Sequence, residues 1–118
     1  MPLTDTYASI IWSSSKGATN NATPQTVIAD PGAGQLSYIC DASSFSIINL
    51  DTANITFTLT ITGGTPRIVE KVTLAPNDKF VNASRYVVAA GETLTVELAA
   101  TVATTQPTWF ASYFQQTN

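Results

Sequence analysis

"NITFTLTITGG", residues 54–64, sets Ile55, Phe57, Leu59 and Ile61 in strict alternation with Thr56, Thr58, Thr60 and Thr62. A period of two places successive side chains on opposite faces of a β-strand. The apolar set therefore predicts a side turned to the core. The threonines are β-branched, favour strands and tolerate water, so they predict a sheet face turned to solvent. Gly63 and Gly64 supply positive φ for an expected tight hairpin, with Pro66 just outside it.

The pattern spreads outward from this hairpin. In the return run "RIVEKVTL" (67–74), Ile68, Val72 and Leu74 share a face with Glu70 while Val69 points away. A bulge, or an edge strand guarded by Glu70, accounts for that irregularity. "APND" (75–78) predicts a type I turn with Pro76 at its first central position. "KFVN", "RYVVAA", a Gly91 turn, "TLTVELA" with alternating Leu94, Val96 and Leu98, and "TWFASYF" follow. Upstream, "QLSYIC" and "SFSIINL" are short runs broken at Asp41–Ser43. "ADPGAGQ" (29–35) is a turn.

Many short strands with closely spaced turns and no helical period predict an all-β fold, an antiparallel β-sandwich of the jelly-roll or Greek-key kind. Residues 13–26, "SSSKGATNNATPQT", carry no hydrophobic period and read as a loop or tether. "YASIIW" (Tyr7–Trp12) ahead of them is β-prone and isolated. It is either an edge strand of its own domain or a strand that docks on a partner. The expected division is an extended N-terminal arm over residues 1–25 and a sandwich over residues 26–118.

The composition supports one folded domain. The chain has 118 residues, 44% hydrophobic, and only 11% charged against about 25% in ordinary soluble domains. The polar positions are mostly Thr, Ser, Asn and Gln. Net charge is −3 with no basic stripe, which argues against binding nucleic acid or an anionic membrane surface. No run approaches 18 apolar residues, and the first residues lack the pattern of a signal peptide. Cys40 is the one cysteine, and its strand-like setting predicts a buried inert thiol rather than an intermolecular bridge.

Reactive chemistry is sparse. The chain has no histidine, which removes Ser-His-Asp and Cys-His catalysis and the commonest metal ligand. No metal centre and no cofactor are expected, since the carboxylates are scattered and lack calcium-loop spacing. Glu92 and Glu97 could be brought together as a glycosidase-type pair, but solvated strand ends are the plainer reading. "GAGQLS" (32–37) lacks the third glycine and the helix of a dinucleotide fingerprint. Asn-x-Ser/Thr triplets at Asn21, Asn54 and Asn82 are what a Thr-rich chain produces by chance.

The aromatics of "TWFASYF" are the remaining candidates. Trp109, Phe110, Tyr113 and Phe114 put large rings on both faces of one strand. Either both faces are buried in the sandwich or one contributes to a subunit interface. Ile10, Ile11 and Trp12 on the expected arm carry the same alternatives. Low surface charge together with these rings predicts a homo-oligomer.

The run "FSIINLDTANITFTLTITGG…IVEKVTLAPNDKFVNASRYVVAAGETLTVELAA" resembles small β-sandwich virion proteins of tailed bacteriophages. The pieces are the Asn-containing turn Asn49–Asn54, the L-x-P-x-D turn Leu74–Asp78 and the V-x-A-G-E-T-L turn Val88–Leu94. The resemblance spans about residues 26–102. It implies a non-enzymatic part of the virion, made in the host bacterial cytoplasm. The head decoration or cement type, a trimer seated on the major capsid protein and stabilising contacts between capsomers, fits its size best. A neck, tail or fibre component is an alternative that shares these features. A carbohydrate-binding module is another, and solvent-facing rows of Trp and Tyr would favour it.

Overall fold

The computed structural model describes residues 11–18, 23–32 and 36–117. Among the described residues there are ten strands: β1 (Ile11–Ala18), β2 (Gln25–Ile28), β3 (Leu36–Cys40), β4 (Phe45–Ile48), β5 (Ile55–Thr62), β6 (Arg67–Leu74), β7 (Lys79–Val81), β8 (Tyr86–Ala89), β9 (Thr93–Leu98) and β10 (Thr108–Thr117). No helix occurs among the described residues, and every pairing is antiparallel.

Sheet A orders its strands β7-β4-β10-β3-β8, with β1 on the other edge of β10; sheet B runs β2-β9-β5-β6. β3 and β4 lie end to end along one edge of β10, Leu36–Ile39 opposite Thr117–Phe114 and Phe45–Ile48 opposite Ala111–Thr108. β8 and β7 repeat this arrangement against β3 and β4. Counting each broken pair as one strand leaves eight strands, in sheets ordered 1-8-3-6 and 2-7-4-5. That is the order of a jelly roll. The expected antiparallel sandwich is therefore present, and its jelly-roll form is the one adopted.

The breaks in sheet A are held by one side chain. Asn82 is buried and lies opposite the turn at 41–44. Its Oδ1 accepts the Phe45 N–H at 2.9 Å, and its Nδ2 donates to the carbonyls of Asp41 (2.9 Å) and Ser84 (2.8 Å). The Ser43 N–H, at a positive φ of 66°, bonds the Asn82 carbonyl at 2.8 Å. Backbone groups that two interrupted strands would leave unpaired are thus satisfied. Because the Asn82 amide is committed inside the fold, its glycosylation triplet is inaccessible.

Sheet B matches the sequence pattern. In β5 the apolar residues are buried and the threonines half-buried, and β9 buries Leu94, Val96 and Leu98. Phe57 and Phe45 meet Phe80 from the facing sheets, with ring centroids 5.3 and 6.4 Å apart. Burying each fully hidden ring contributes about 1.5–3 kcal/mol.

Several local expectations change. β6 is an edge strand and also carries a bulge: Leu59 opposes Glu70 and Thr60 opposes Ile68, leaving Val69 as the extra residue. The phase flips there, so Val69 packs on the core and Ile68, expected on the inner face, is 65% exposed. The 75–78 turn closes with an Asp78 N–H to Ala75 carbonyl bond of 3.0 Å, but Asn77 sits at φ 68°. Positive φ at the second central position makes it type II rather than type I. The hairpin at Gly63-Gly64 is not tight. The last paired residues are Ile61 and Arg67, and a Cβ on Gly63 (φ 109°) would strike the Gly91 carbonyl, so this loop rests on the β8–β9 turn.

The largest change is at the N-terminal side. Ser13–Ala18, read as tether, belongs to β1 and pairs with β10 from Ile11↔Gln115 to Ala18↔Thr108. Gln25 and Thr26 likewise open β2. Ladder hydrogen bonds use only the backbone, so a serine run without hydrophobic period can complete a sheet edge. Residues 1–10 of the expected arm lie outside the described residues.

Candidate functional site

Directly opposed residues in an antiparallel pair point to the same side of the sheet. Trp109 opposes Ile47, and both are buried in the core. The neighbouring positions must face outward. Ser46 opposes both Phe110 and Val81, and Ile39 opposes both Phe114 and Val87. Two rows, Phe110–Ser46–Val81 and Phe114–Ile39–Val87, therefore cross the outer face of sheet A. Phe110, Val87 and Val81 are 46%, 43% and 40% exposed. Ile39 is 6% exposed yet stands outside the core cluster, shielded on the outer face.

The interface residues expected from sequence are thus divided between locations. Phe110 and Phe114 come together on this outer face. Trp109 turns inward, joins the core at 5% exposure, and leaves its indole N–H without a partner. Tyr113 also turns inward and packs on Tyr38, ring centroids 5.0 Å apart. In backbone register Trp12 opposes Phe114 and Ile11 opposes Gln115. Ile10 lies outside the described residues. Val81, Val87 and Ile39 were not singled out from the sequence. The cue was in "RYVVAA", where two adjacent valines must face opposite ways.

The outer face of sheet B is built differently. Thr56 and Thr73 hydroxyls share a 2.7 Å hydrogen bond, and those of Thr62 and Thr95 each donate to a neighbouring strand's carbonyl at 3.3 Å. Lys71 and Glu97 flank Thr58 on either side. Ile68, displaced by the bulge, is its exposed apolar residue.

Several of the charged groups hold loops. Glu92 accepts the Ala89 N–H at 3.0 Å and pairs with Arg67 at 2.8 Å. The Arg67 guanidinium and that N–H hold its carboxyl below the usual range. Glu97 projects outward from β9, five positions on. Asp30 accepts the N–H groups of Gly32 and Gly91 and is lowered by both, tying the β2–β3 loop to the β8–β9 turn. Asp41, lowered first by its hydrogen bond to Arg85, lies at the sheet A break.

Asp51, 4% exposed, accepts from the N–H groups of Ala103, Thr104 and Thr105 and from the Thr104 hydroxyl, at 2.8–3.2 Å. Burial alone would raise its pKa, but these donors together outweigh burial and hold the carboxyl well below the usual range. Tyr86 donates its hydroxyl to Glu70 at 2.9 Å, a link from β8 to the facing edge strand β6. Cys40 is fully buried, and burial, then the Asp41 charge, pushes its thiol up to about 11. Among the described residues no three acidic, Cys or His side chains form a group that could hold a metal ion.

No protein family matches the chain. No curated protein matches it either. Solved structures do. A structure of Bacillus endospore appendages, described as a family of disulfide-linked pili, aligns over 92% of this chain and 88% of its own at 20% identity, with a TM-score of 0.54. A Clostridium thermocellum xylanase with its family 22 carbohydrate-binding module, complexed with xylohexaose, covers 96% of this chain and 27% of its own at 13% identity and TM-score 0.47. A chain of infectious bursal disease virus, Gx strain, covers 90% and 32% at 12% identity and TM-score 0.45. At these identities the likeness is one of fold.

Proposed function

We propose that the protein is a non-enzymatic assembly subunit of a bacteriophage virion, of the head-decoration type, which docks through the outer face of sheet A. The carrying observation is the contrast between the two outer faces among the described residues: one sheet is finished with threonines and exposes the single large apolar residue Ile68 at its edge strand, the other bears Phe110, Val81 and Val87 in the open. Exposed apolar side chains with Ser46 and Ser112 between them suit a protein surface that removes them from water. Binding across several capsid subunits adds free energy to the assembled particle alone. The virion setting comes from the resemblance at Asn49–Asn54, Leu74–Asp78 and Val88–Leu94.

A sugar-binding role is less well supported. Trp109 and Tyr86 are buried, and Tyr38 and Tyr113 pack on the core, so these four rings form no solvent-facing row. A fibre or appendage component is the second reading, favoured by an alignment over most of both chains with the structure of the pilus-forming appendages. Disulfide linkage of that kind is not open to this chain through Cys40, which is fully buried.

The deciding experiment mixes the fluorescently labelled protein with virions of the phage that encodes it, followed by co-sedimentation and negative-stain imaging. Regular density on the head, lost with Phe110→Ser, is the expected result. Density confined to the neck, tail or fibres would move the protein to that station. Absence from every part of the particle would overturn the reading.

A further inference from the structure

A β-sheet edge presents unpaired N–H and C=O groups, and proteins blunt such edges with charges, bulges, short strands or breaks. Three of the four edges here are blunted. β6 carries the Val69 bulge with Arg67, Glu70 and Lys71. β2 has four residues and a register shift between Thr26 and Ile28. The β7/β8 edge is split at 82–85 into strands of three and four residues. β1 is the exception. It keeps register with β10 over eight consecutive residues without a shift, has no proline, and has Lys16 as its one charge. Among the described residues, no strand pairs with its other edge.

We infer that this edge is filled by β1 of a second copy, antiparallel across a two-fold axis, so that sheet A runs on through two molecules. A two-fold contact must be self-complementary, and an antiparallel strand pair is. Successive residues of one strand turn their N–H and C=O groups to alternate edges. Opposed residues in such a pair must therefore have the same parity, and the sum of their numbers is even. A sum of 32 would set Lys16 against its own copy in the partner and is disfavoured. A sum of 28 centres the contact on Ser14 and places Trp12 opposite Lys16 and Ile11 opposite Gly17. A sum of 30 centres it on Ser15 and places Trp12 opposite Ala18. In both registers each pair sets a polar or large residue against a small or oppositely suited one, and the serine run occupies the middle. That gives residues 13–16 a role their lack of hydrophobic period otherwise leaves open.

The consequence for the docking face rests on the function proposed above. Joined at β1, two copies present their Phe110 and Phe114 strands, each adjacent to β1, on one continuous surface. The state is even-numbered, which departs from the trimer implied by the resemblance.

Two measurements test the contact without any virion, so its failure is separate from failure of the docking role. Light scattering on the purified chain should show the mass rising with concentration from 12.5 kDa towards twice that value. Under mild oxidation, Ser14→Cys or Ser15→Cys, but not both, should cross-link several-fold faster than Thr58→Cys on the threonine face. Ser14→Lys sets like charges together in either register, because the new ammonium group faces either its own symmetry copy or Lys16. It should return the protein to monomer with unchanged circular dichroism. Ser14→Glu separates the registers, since it repels itself at a sum of 28 and meets Lys16 at a sum of 30. A chain that stays at 12.5 kDa with neither cysteine cross-linking overturns the inference. So does a trimer indifferent to Ser14→Lys.

Discussion

Sheet B and sheet A share one core and solve the same problem differently. In sheet B the strands β9 and β5 run unbroken, alternation is strict, and the outer face ends in hydroxyls that bond each other or neighbouring carbonyls. In sheet A two of the strands are interrupted, a buried asparagine replaces part of the ladder, and the outer face keeps open apolar residues. The regular sheet gains its stability from local pattern. The irregular one depends on a few specific side chains and presents the surface that a partner can use. The proposed docking role therefore rests on departures from regularity.

The sharpest way to break the comparison is to remove the side chain that mends sheet A. Asn82→Ala leaves the buried Phe45 N–H and the part-buried carbonyls of Asp41 and Ser84 without that partner, and should cost about 2 kcal/mol, read as a lower urea midpoint. A loss under about 1 kcal/mol would mean that water replaces the amide and that the break needs no staple.

How much was legible beforehand follows the same division. The period of two in 54–62 and 93–98 marks the two central strands of sheet B, β5 and β9, with their buried sets, because each residue's face depends only on its neighbours. β1 was not legible beyond its apolar start. Ser13–Ala18 is a strand because β10 offers an edge, and no residue within 13–18 encodes that. Pro76 marks the turn at 75–78 but not its type, since it suits type I and type II alike and only the φ of Asn77 separates them. In "TWFASYF" the alternation of Trp109 and Phe110 was visible, but which ring faces the core depends on register with Ile47 and Ser46, one strand away. Val69 shows the same limit: the irregularity of 67–74 signals a bulge or an edge strand, but not that Ile68 is the residue expelled.

A second prediction concerns the exposed face. Phe110→Ser should leave the urea midpoint almost unchanged, because the ring is already 46% in water. It should weaken attachment to the partner surface by roughly threefold to tenfold, since only the exposed half of the ring, and so half of the ~1.5–3 kcal/mol for full burial, is left for a partner to cover. Attachment at full strength would exonerate this face and return attention to the other sheet.

The third works at the loops that join the sheets. Asp51 has a depressed pKa in the folded state, so its contribution is present above the ordinary carboxylate value of about 4 and is lost as pH falls through the lower folded value. The urea midpoint should therefore fall steadily below about pH 4. Asp51→Asn keeps one acceptor for the 103–105 loop, so its loss at neutral pH should be smaller than that of Asn82→Ala. Its midpoint should also depend less on acid than the wild type's. Equal acid sensitivity in the two proteins would assign the effect to Asp30, Asp41 and Glu92, whose carboxyls are lowered as well.

The smallest effect is expected on the threonine face, at Thr58 in the middle of β5. Its neighbours across the sheet are Lys71 on β6 and Glu97 on β9, and its flanking residues Phe57 and Leu59 are fully buried. Thr58→Val keeps the branched β-carbon that suits a strand and exchanges a half-exposed hydroxyl for a methyl group. The stability change should stay within about 0.5 kcal/mol, the range of surface substitutions away from special features. Attachment to the partner and self-association should not change at all, because both are assigned to sheet A. That joint silence is what makes the substitution informative. If Thr58→Val alters attachment while the urea midpoint holds, the threonine face is itself a contact surface. The hydroxyl row would then be a recognition pattern rather than a finish against water, and the division of labour between the two sheets would fail.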